Sequence, residues 1–173
     1  GSVRNWTSFH SEMQFEDFSL ERNDSMGIKG EVFFQPLSRA INGNALVLDV
    51  SLSVQEVLKR MQEEKKGAVI LVEYETMIRG IITERDFVLK IIGKNRLEDG
   101  PLPVSKFMTP NPDCLLSRHI LSNALNSMFE RGYRNIIIVN EDRQPVTVVS
   151  MLDIFKFICD HMILEHHHDD IVR

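Results

Sequence analysis

The chain alternates between two kinds of apolar pattern. Val54, Val57, Leu58 and Met61 recur at i, i+3, i+4 and i+7, the spacing of one helix face. Ala68-Val69-Ile70-Leu71-Val72 then runs without a polar break, as in a strand covered on both faces. Glu73-Tyr74-Glu75-Thr76 reads as a polar hairpin turn, and Ile78 to Ile82 as the returning strand. Phe87, Val88, Ile91 and Ile92 predict a second helix. Ser51 and Ser53 are candidate caps for the first helix, while Gly93 and Gly100-Pro101 mark a stop and a linker.

Shifting the chain by 67 residues brings the pattern onto itself without a gap from position 36 to position 92. Pro36-Leu37-Ser38-Arg39 meets Pro103-Val104-Ser105-Lys106, Met61 meets Met128, Ile70 meets Ile137, and Asp86 meets Asp153. Turn residues lead into each copy, Asn42-Gly43-Asn44 in one and Thr109-Pro110-Asn111-Pro112 in the other. The second copy repeats the helix as Leu121, Ala124, Leu125 and Met128, starting near Ser117-Arg118-His119. Its strands are Ile136 to Val139 and Val146 to Val149, and its closing helix carries Ile154, Phe155, Ile158 and Cys159.

The fold class is therefore α+β and sandwich-like, built from two helix-strand-strand-helix units. A unit this small buries too little surface to stand comfortably alone. Two copies are expected to pack about a pseudo-two-fold axis over a shared core. The chain divides into an arm (1–35), a first repeat (36–100), a second repeat (101–163) and a C-terminal tail (164–173). The arm carries Trp6, Phe9, Met13, Phe15, Phe18, Phe33 and Phe34 without a clean helical stripe. It reads as an irregular segment packed on the domain or on a partner. Gly1-Ser2, with no initiator methionine, reads as a cloning scar on a longer natural protein.

Composition narrows the function. The chain is 43% apolar and 26% charged, which is globular, and its net charge of −5 argues against non-specific nucleic-acid or anionic-membrane binding. No apolar run approaches the ~20 residues of a membrane span. Cys114 and Cys159 show neither disulfide nor metal spacing and align with Val47 and Ile92, so both read as small buried hydrophobes in a reducing, cytoplasmic setting. His166-His167-His168-Asp169-Asp170 could in principle hold a metal, but consecutive residues of an extended tail do not converge on one point, and the reading is of a solvated tail with no metal site. No nucleophile elbow, P-loop or His-Glu-x-x-His is present.

The candidate chemistry sits where each second strand hands over to a helix. Gly80-Ile81-Ile82-Thr83-Glu84-Arg85-Asp86 is echoed by Thr147-Val148-Val149-Ser150-Met151-Leu152-Asp153. Backbone N–H groups at a helix start attract an anion, a hydroxyl adds a donor, and a carboxylate one turn on can accept both hydroxyls of a ribose. Ser/Thr-x-x-Asp is also a capping box, which needs no ligand. Local residues alone favour the cap.

Pro103-Val104-Ser105-Lys106-Phe107-Met108-Thr109-Pro110-Asn111-Pro112, Arg131 to Val139 and Gly80 to Asp86 together resemble a tandem pair of cystathionine β-synthase (CBS) domains over about 36–163. The resemblance implies a homodimer and a cleft ligand such as AMP, ADP, ATP or S-adenosylmethionine, with the Asp on ribose and the hydroxyl residue on phosphate. It implies one cleft using Thr83, Arg85 and Asp86 with Tyr133, Arg134 and Asn135. It implies another using Ser150 and Asp153 with Lys66, Gly67 and Ala68. The sequence departs from the family in lacking a proline in either first core strand, in Thr147 for glycine, and in Leu152 where the first copy has Arg85. The first cleft is the better candidate. The expectation is a non-enzymatic, nucleotide-sensing regulatory module acting on an unidentified effector. A ligand-free dimerisation scaffold is the alternative, and a metal enzyme using the histidines a weaker one.

Overall fold

The computed structural model describes residues 30–171, with side chains as far as residue 162. Most of the aromatic arm lies outside this range. Its end, Gly30–Phe34, is a 3-10 turn that buries Val32 and leaves Phe34 exposed. The chain gathers into two compact units that cut across the repeats. One comprises Ile41–Ser117 and Asn135–Val149; the other takes the chain up to Ala40, Arg118–Arg134 and the chain from Ser150 onward.

The first unit holds both sheets. Strand β1 (Leu46–Asp49) runs parallel to β2 (Ala68–Glu73), with Leu48 opposite Leu71. Helix α1 (Val54–Glu64) connects them. It starts at Ser53, whose Oγ accepts from the Glu56 N–H while the Glu56 carboxylate accepts from the Ser53 N–H. Ser51, the other candidate cap, instead donates its N–H to Asp49. A hairpin with Tyr74 and Glu75 in left-handed conformations leads to β3 (Met77–Thr83), antiparallel to β2.

Strand β2 is buried on both faces, as its unbroken apolar run predicts. Val69 and Leu71 pack with Val54, Val57 and Met61 of α1. Ile70 and Val72 pack with Ile81 and with Ile137 and Val139 of β6 (Asn135–Val139). The core is thus shared between repeats. Each such side chain contributes about 1.5–3 kcal/mol when fully buried.

Beyond Thr83 the chain forms a short helical turn α2 (Glu84–Asp86), a widened π turn (Phe87–Ile91) and a 3-10 turn (Ile92–Lys94). Asn95, at φ +55°, ends the segment rather than Gly93. Gly93 lies inside it, where a Cβ would stand 2.8 Å from the Val88 carbonyl oxygen. Of the apolar stripe expected here, Phe87 and Ile91 are buried, but Val88 and Ile92 are exposed.

The repeats exchange their lead-in segments. β4 (Thr109–Pro110), at the head of the second repeat, pairs antiparallel with β3 of the first, Gly80 lying opposite Pro110. Reciprocally, the Ala45 N–H donates to the Val146 carbonyl, and Thr147 Oγ1 donates to the Gly43 carbonyl at 3.2 Å, on strand β7 (Pro145–Ser150). β4 completes a sheet of order β1-β2-β3-β4; β5 (Cys114–Leu116), β6 and β7 form the other, with β5 parallel to β6. β1 and β5 were not expected as strands. Stretches of three or four residues are too short to show a period, and their hydrogen-bond partners lie more than twenty residues away.

In the other unit the exchange recurs: the Leu37 N–H donates to the His119 carbonyl and the Leu121 N–H to the Gln35 carbonyl. Helix α3 (Leu121–Arg131) therefore starts at Ile120, later than the expected Ser117–His119, with Asn123 accepting from the Ile120 N–H. Gly132, at φ +71°, closes it in the left-handed conformation that favours glycine. Helix α4 (Met151–Ile171) is longer than expected, because residues 164–171, read as an extended tail, continue it.

Two predictions follow from this packing. A Cβ on Gly80 would overlap Met108 Sδ and stand 2.9 Å from the Thr109 carbonyl oxygen. Gly80→Ala is expected to destabilise by about 1–3 kcal/mol, measured by urea denaturation. Burial, reinforced by the Asp113 charge, pushes the Cys114 thiol up from 9.0 to about 11. Between those values the unfolded chain loses the proton and the folded chain keeps it, so stability falls as pH rises through this window. The fall is about 2–3 kcal/mol, and Cys114→Val flattens it in denaturation curves taken across the same range.

Candidate functional site

Both hydroxyl-carboxylate pairs are formed, one in each unit. Thr83 is extended (φ −124°, ψ 165°), so the chain turns sharply from β3 into α2. Its N–H and Oγ1 both donate to Asp86 Oδ2, at 3.0 and 3.2 Å, and Oγ1 accepts from the Asp86 N–H at 3.4 Å. In the other unit the Ser150 N–H and Oγ donate to Asp153 Oδ2 at 2.8 and 2.9 Å, and Oγ accepts from the Asp153 N–H at 3.1 Å. Each pair is thus a working capping box. Each also holds a half-buried carboxylate one turn beyond a strand end.

The surroundings of the two carboxylates differ. Lys90 Nζ lies 2.9 Å from Asp86 Oδ1 and also donates to the Phe107 carbonyl at 3.1 Å. The Phe107 ring in turn lies 5.7 Å beneath the Arg96 guanidinium. Lys90 was not among the residues singled out, although its i+4 spacing from Asp86 is visible in the sequence. One repeat on, its place is taken by Phe157, which packs near the His161 ring at 6.2 Å. Arg85 and its counterpart Leu152 are both exposed.

Of the remaining candidates, Gly67 and Ala68 lie beside Thr83 in the first unit. Ala68 is opposite Thr83 in the β2-β3 register, and the Glu84 N–H donates to the Gly67 carbonyl at 2.9 Å. A Cβ on Gly67 would come within 3.1 Å of the Glu84 carboxylate. Lys66 is half-buried, with Nζ 3.6 Å from where a Cβ on Gly43 would stand. Asn135 begins β6. In the other unit the Arg134 carbonyl accepts from the Met151 N–H at 2.8 Å, immediately beside Ser150. Arg134 itself is exposed and Tyr133 half-buried. Thr147 is buried against Gly43, so its hydroxyl is committed to packing.

The thiol of Cys114 is held protonated, contrary to what a nucleophile needs. Among the described residues no group of His, Cys, Asp and Glu gathers to hold a metal, and the side chains of His166 to Asp170 lie outside them. Among the described residues no helix is long and apolar enough to cross a membrane.

The CBS domain family model matches the chain twice, over residues 38–93 and 104–160. A CBS domain-containing protein of Arabidopsis thaliana, CBSCBSPB5, is 34% identical over 117 residues, which is 67% of this chain and 20% of the relative. A 17.7 kDa protein of Acidianus ambivalens is 27% identical over 124 residues, covering 72% of this chain and 73% of the relative. The chain spans about a fifth of the length of the curated Arabidopsis relatives. Among solved structures, a CBS domain protein from Pyrobaculum aerophilum complexed with AMP matches with a TM-score of 0.59 at 20% identity, over 69% of this chain and 89% of that one. The CBS domain pair of protein MJ0100, in complex with 5-methylthioadenosine and S-adenosyl-L-methionine, matches with a TM-score of 0.61 at 17% identity, over 70% and 98%. The two family matches coincide with the two copies separated by the 67-residue shift, and the chain belongs to the CBS domain family as a tandem pair.

Proposed function

We propose that this protein is a non-enzymatic regulatory module that binds an adenosine nucleotide or S-adenosylmethionine. The observation that carries the reading is the duplicated carboxylate, Asp86 and Asp153, each pinned by one oxygen to the hydroxyl and N–H at a strand end. The complexes of the Pyrobaculum protein with AMP and of the MJ0100 pair with two adenosine compounds support it. In this reading Asp86 and Asp153 accept ribose hydroxyls, while Thr83 and Ser150 face phosphate. Arg85 supplies a cation to the first site. Lys66, Gly67 and Ala68 at the head of β2, and Tyr133, Arg134 and Asn135 at the head of β6, are further contacts. The module works in a reducing, cytoplasmic compartment and passes occupancy to an effector. The finished capping boxes favour a second reading, a ligand-free scaffold, because they satisfy both carboxylate-bearing turns without any ligand.

A thermal-shift panel of AMP, ADP, ATP, NAD and S-adenosylmethionine separates the two. A true ligand at one hundred times its dissociation constant stabilises by about 2.7 kcal/mol, raising Tm by roughly 5–10 °C for a chain this size. Asp86→Ala together with Asp153→Ala is expected to abolish the shift. Silence across the panel selects the scaffold.

Either reading uses a homodimer. Val88, Leu89 and Ile92 are 49–54% exposed after β3, and Met151, Leu152 and Phe155 are 48–62% exposed at the start of α4. The two apolar stripes occupy overlapping positions of the repeat, and each is suited to a second copy of the chain. Leu89→Glu with Phe155→Glu is expected to convert a dimer to a monomer in light scattering after size exclusion. A wild-type monomer at micromolar concentration would remove this part of the proposal.

A further inference from the structure

We infer that Lys90 sets the affinity of the Asp86 site by competing with the ligand for the carboxylate. The inference rests on the nucleotide-binding reading above and adds a residue to it. Asp86 Oδ2 already accepts two hydrogen bonds, both from Thr83. Two donors are the ordinary complement of a carboxylate oxygen. Oδ1 is held by the Lys90 ammonium at 2.9 Å. The carboxylate therefore has one acceptor position left, and a ribose diol needs two.

One existing donor must leave, and the structure identifies which. The Thr83 N–H belongs to the chain turn itself. The Thr83 hydroxyl is part-buried and also accepts from the Asp86 N–H. The Lys90 side chain is 44% exposed, so its ammonium can return to water at small cost. Lys90 is held in place by its second acceptor, the Phe107 carbonyl, and by the widened turn that carries it. A nucleotide seated on Asp86 displaces Lys90 from Oδ1. The second repeat has no such competitor at this position, since Phe157 stands there.

The test is calorimetric titration of the full chain with AMP, in an Asp153→Ala background that confines the readout to Asp86. Lys90→Met keeps the length and removes the charge, and it is expected to bind AMP about 2–5-fold more tightly. Lys90→Arg, which keeps the cation, is expected to stay near the starting affinity. Asp86→Ala is expected to weaken binding on the order of tenfold or more. Unchanged or weaker binding by Lys90→Met, with Asp86→Ala still defective, overturns the competition while leaving the nucleotide site standing. Equal tightening by Lys90→Arg traces the effect to shape and also overturns it. Undiminished binding by Asp86→Ala, or no binding by any of these proteins, overturns both the competition and the site beneath it.

Discussion

A strand with an unbroken apolar run must be covered on two faces, and β2, from Ala68 to Val72, is such a strand. Val69 and Leu71 find cover from α1 of the same repeat. Ile70 and Val72 find it partly from Ile81 of the same repeat and partly from Ile137 and Val139, which belong to the other copy. A single repeat would uncover part of those side chains, at up to about 1.5–3 kcal/mol each. Duplication is thus a condition of this fold's stability, and any pair of sites it carries inherits the duplication.

The exchanged lead-in segments tighten the same constraint. The chain around Pro103 bonds to the start of α1, and that around Pro36 bonds to the start of α3. Because each segment lies against its neighbour's strand end, the residue beneath it is chosen by backbone proximity. Gly80 is required where Met108 and Thr109 press on β3. Thr147 is accepted at the matching place, where its hydroxyl satisfies the Gly43 carbonyl. The sequence difference between the copies at this position therefore reports packing.

Much of the architecture was legible because burial leaves a period. The 67-residue shift, the α1 and α3 faces and the doubly buried strand all came from apolar spacing, and Ser53, one of the two candidate caps, does cap α1. What the pattern did not reveal has specific causes. β1 and β5 depend on distant partners that no local period encodes. Ile120 holds a cap position without a capping side chain, so the start of α3 was placed too early; the repeat would have located it, since Ile120 and Asn123 align with Ser53 and Glu56. Gly93 looks like a stop but relieves a crowded π turn, leaving Asn95 to end the segment. The helical backbone at residues 164–171 was masked by a histidine run that composition reads as tail.

At the candidate site the hydroxyl and carboxylate that the spacing singled out are hydrogen-bonded to each other in both copies. Thr83 with Asp86 and Ser150 with Asp153 are both complete caps, each using one carboxylate oxygen. The cap uses the N–H, the hydroxyl and one carboxylate oxygen, and in doing so it fixes where the other oxygen points. The difference between the copies then rests on what meets that second oxygen. Arg85 against Leu152 suggested that the first copy is the better anion site. Lys90 against Phe157 adds the opposite pressure, because the same cation that favours a phosphate nearby occupies the carboxylate a ribose would use. In the proposed nucleotide reading, charge would draw a phosphate to the first copy while Lys90 would compete there for Asp86. The two repeats therefore differ at the carboxylate itself, where Lys90 meets Asp86 in the first and Phe157 stands at the matching position of the second.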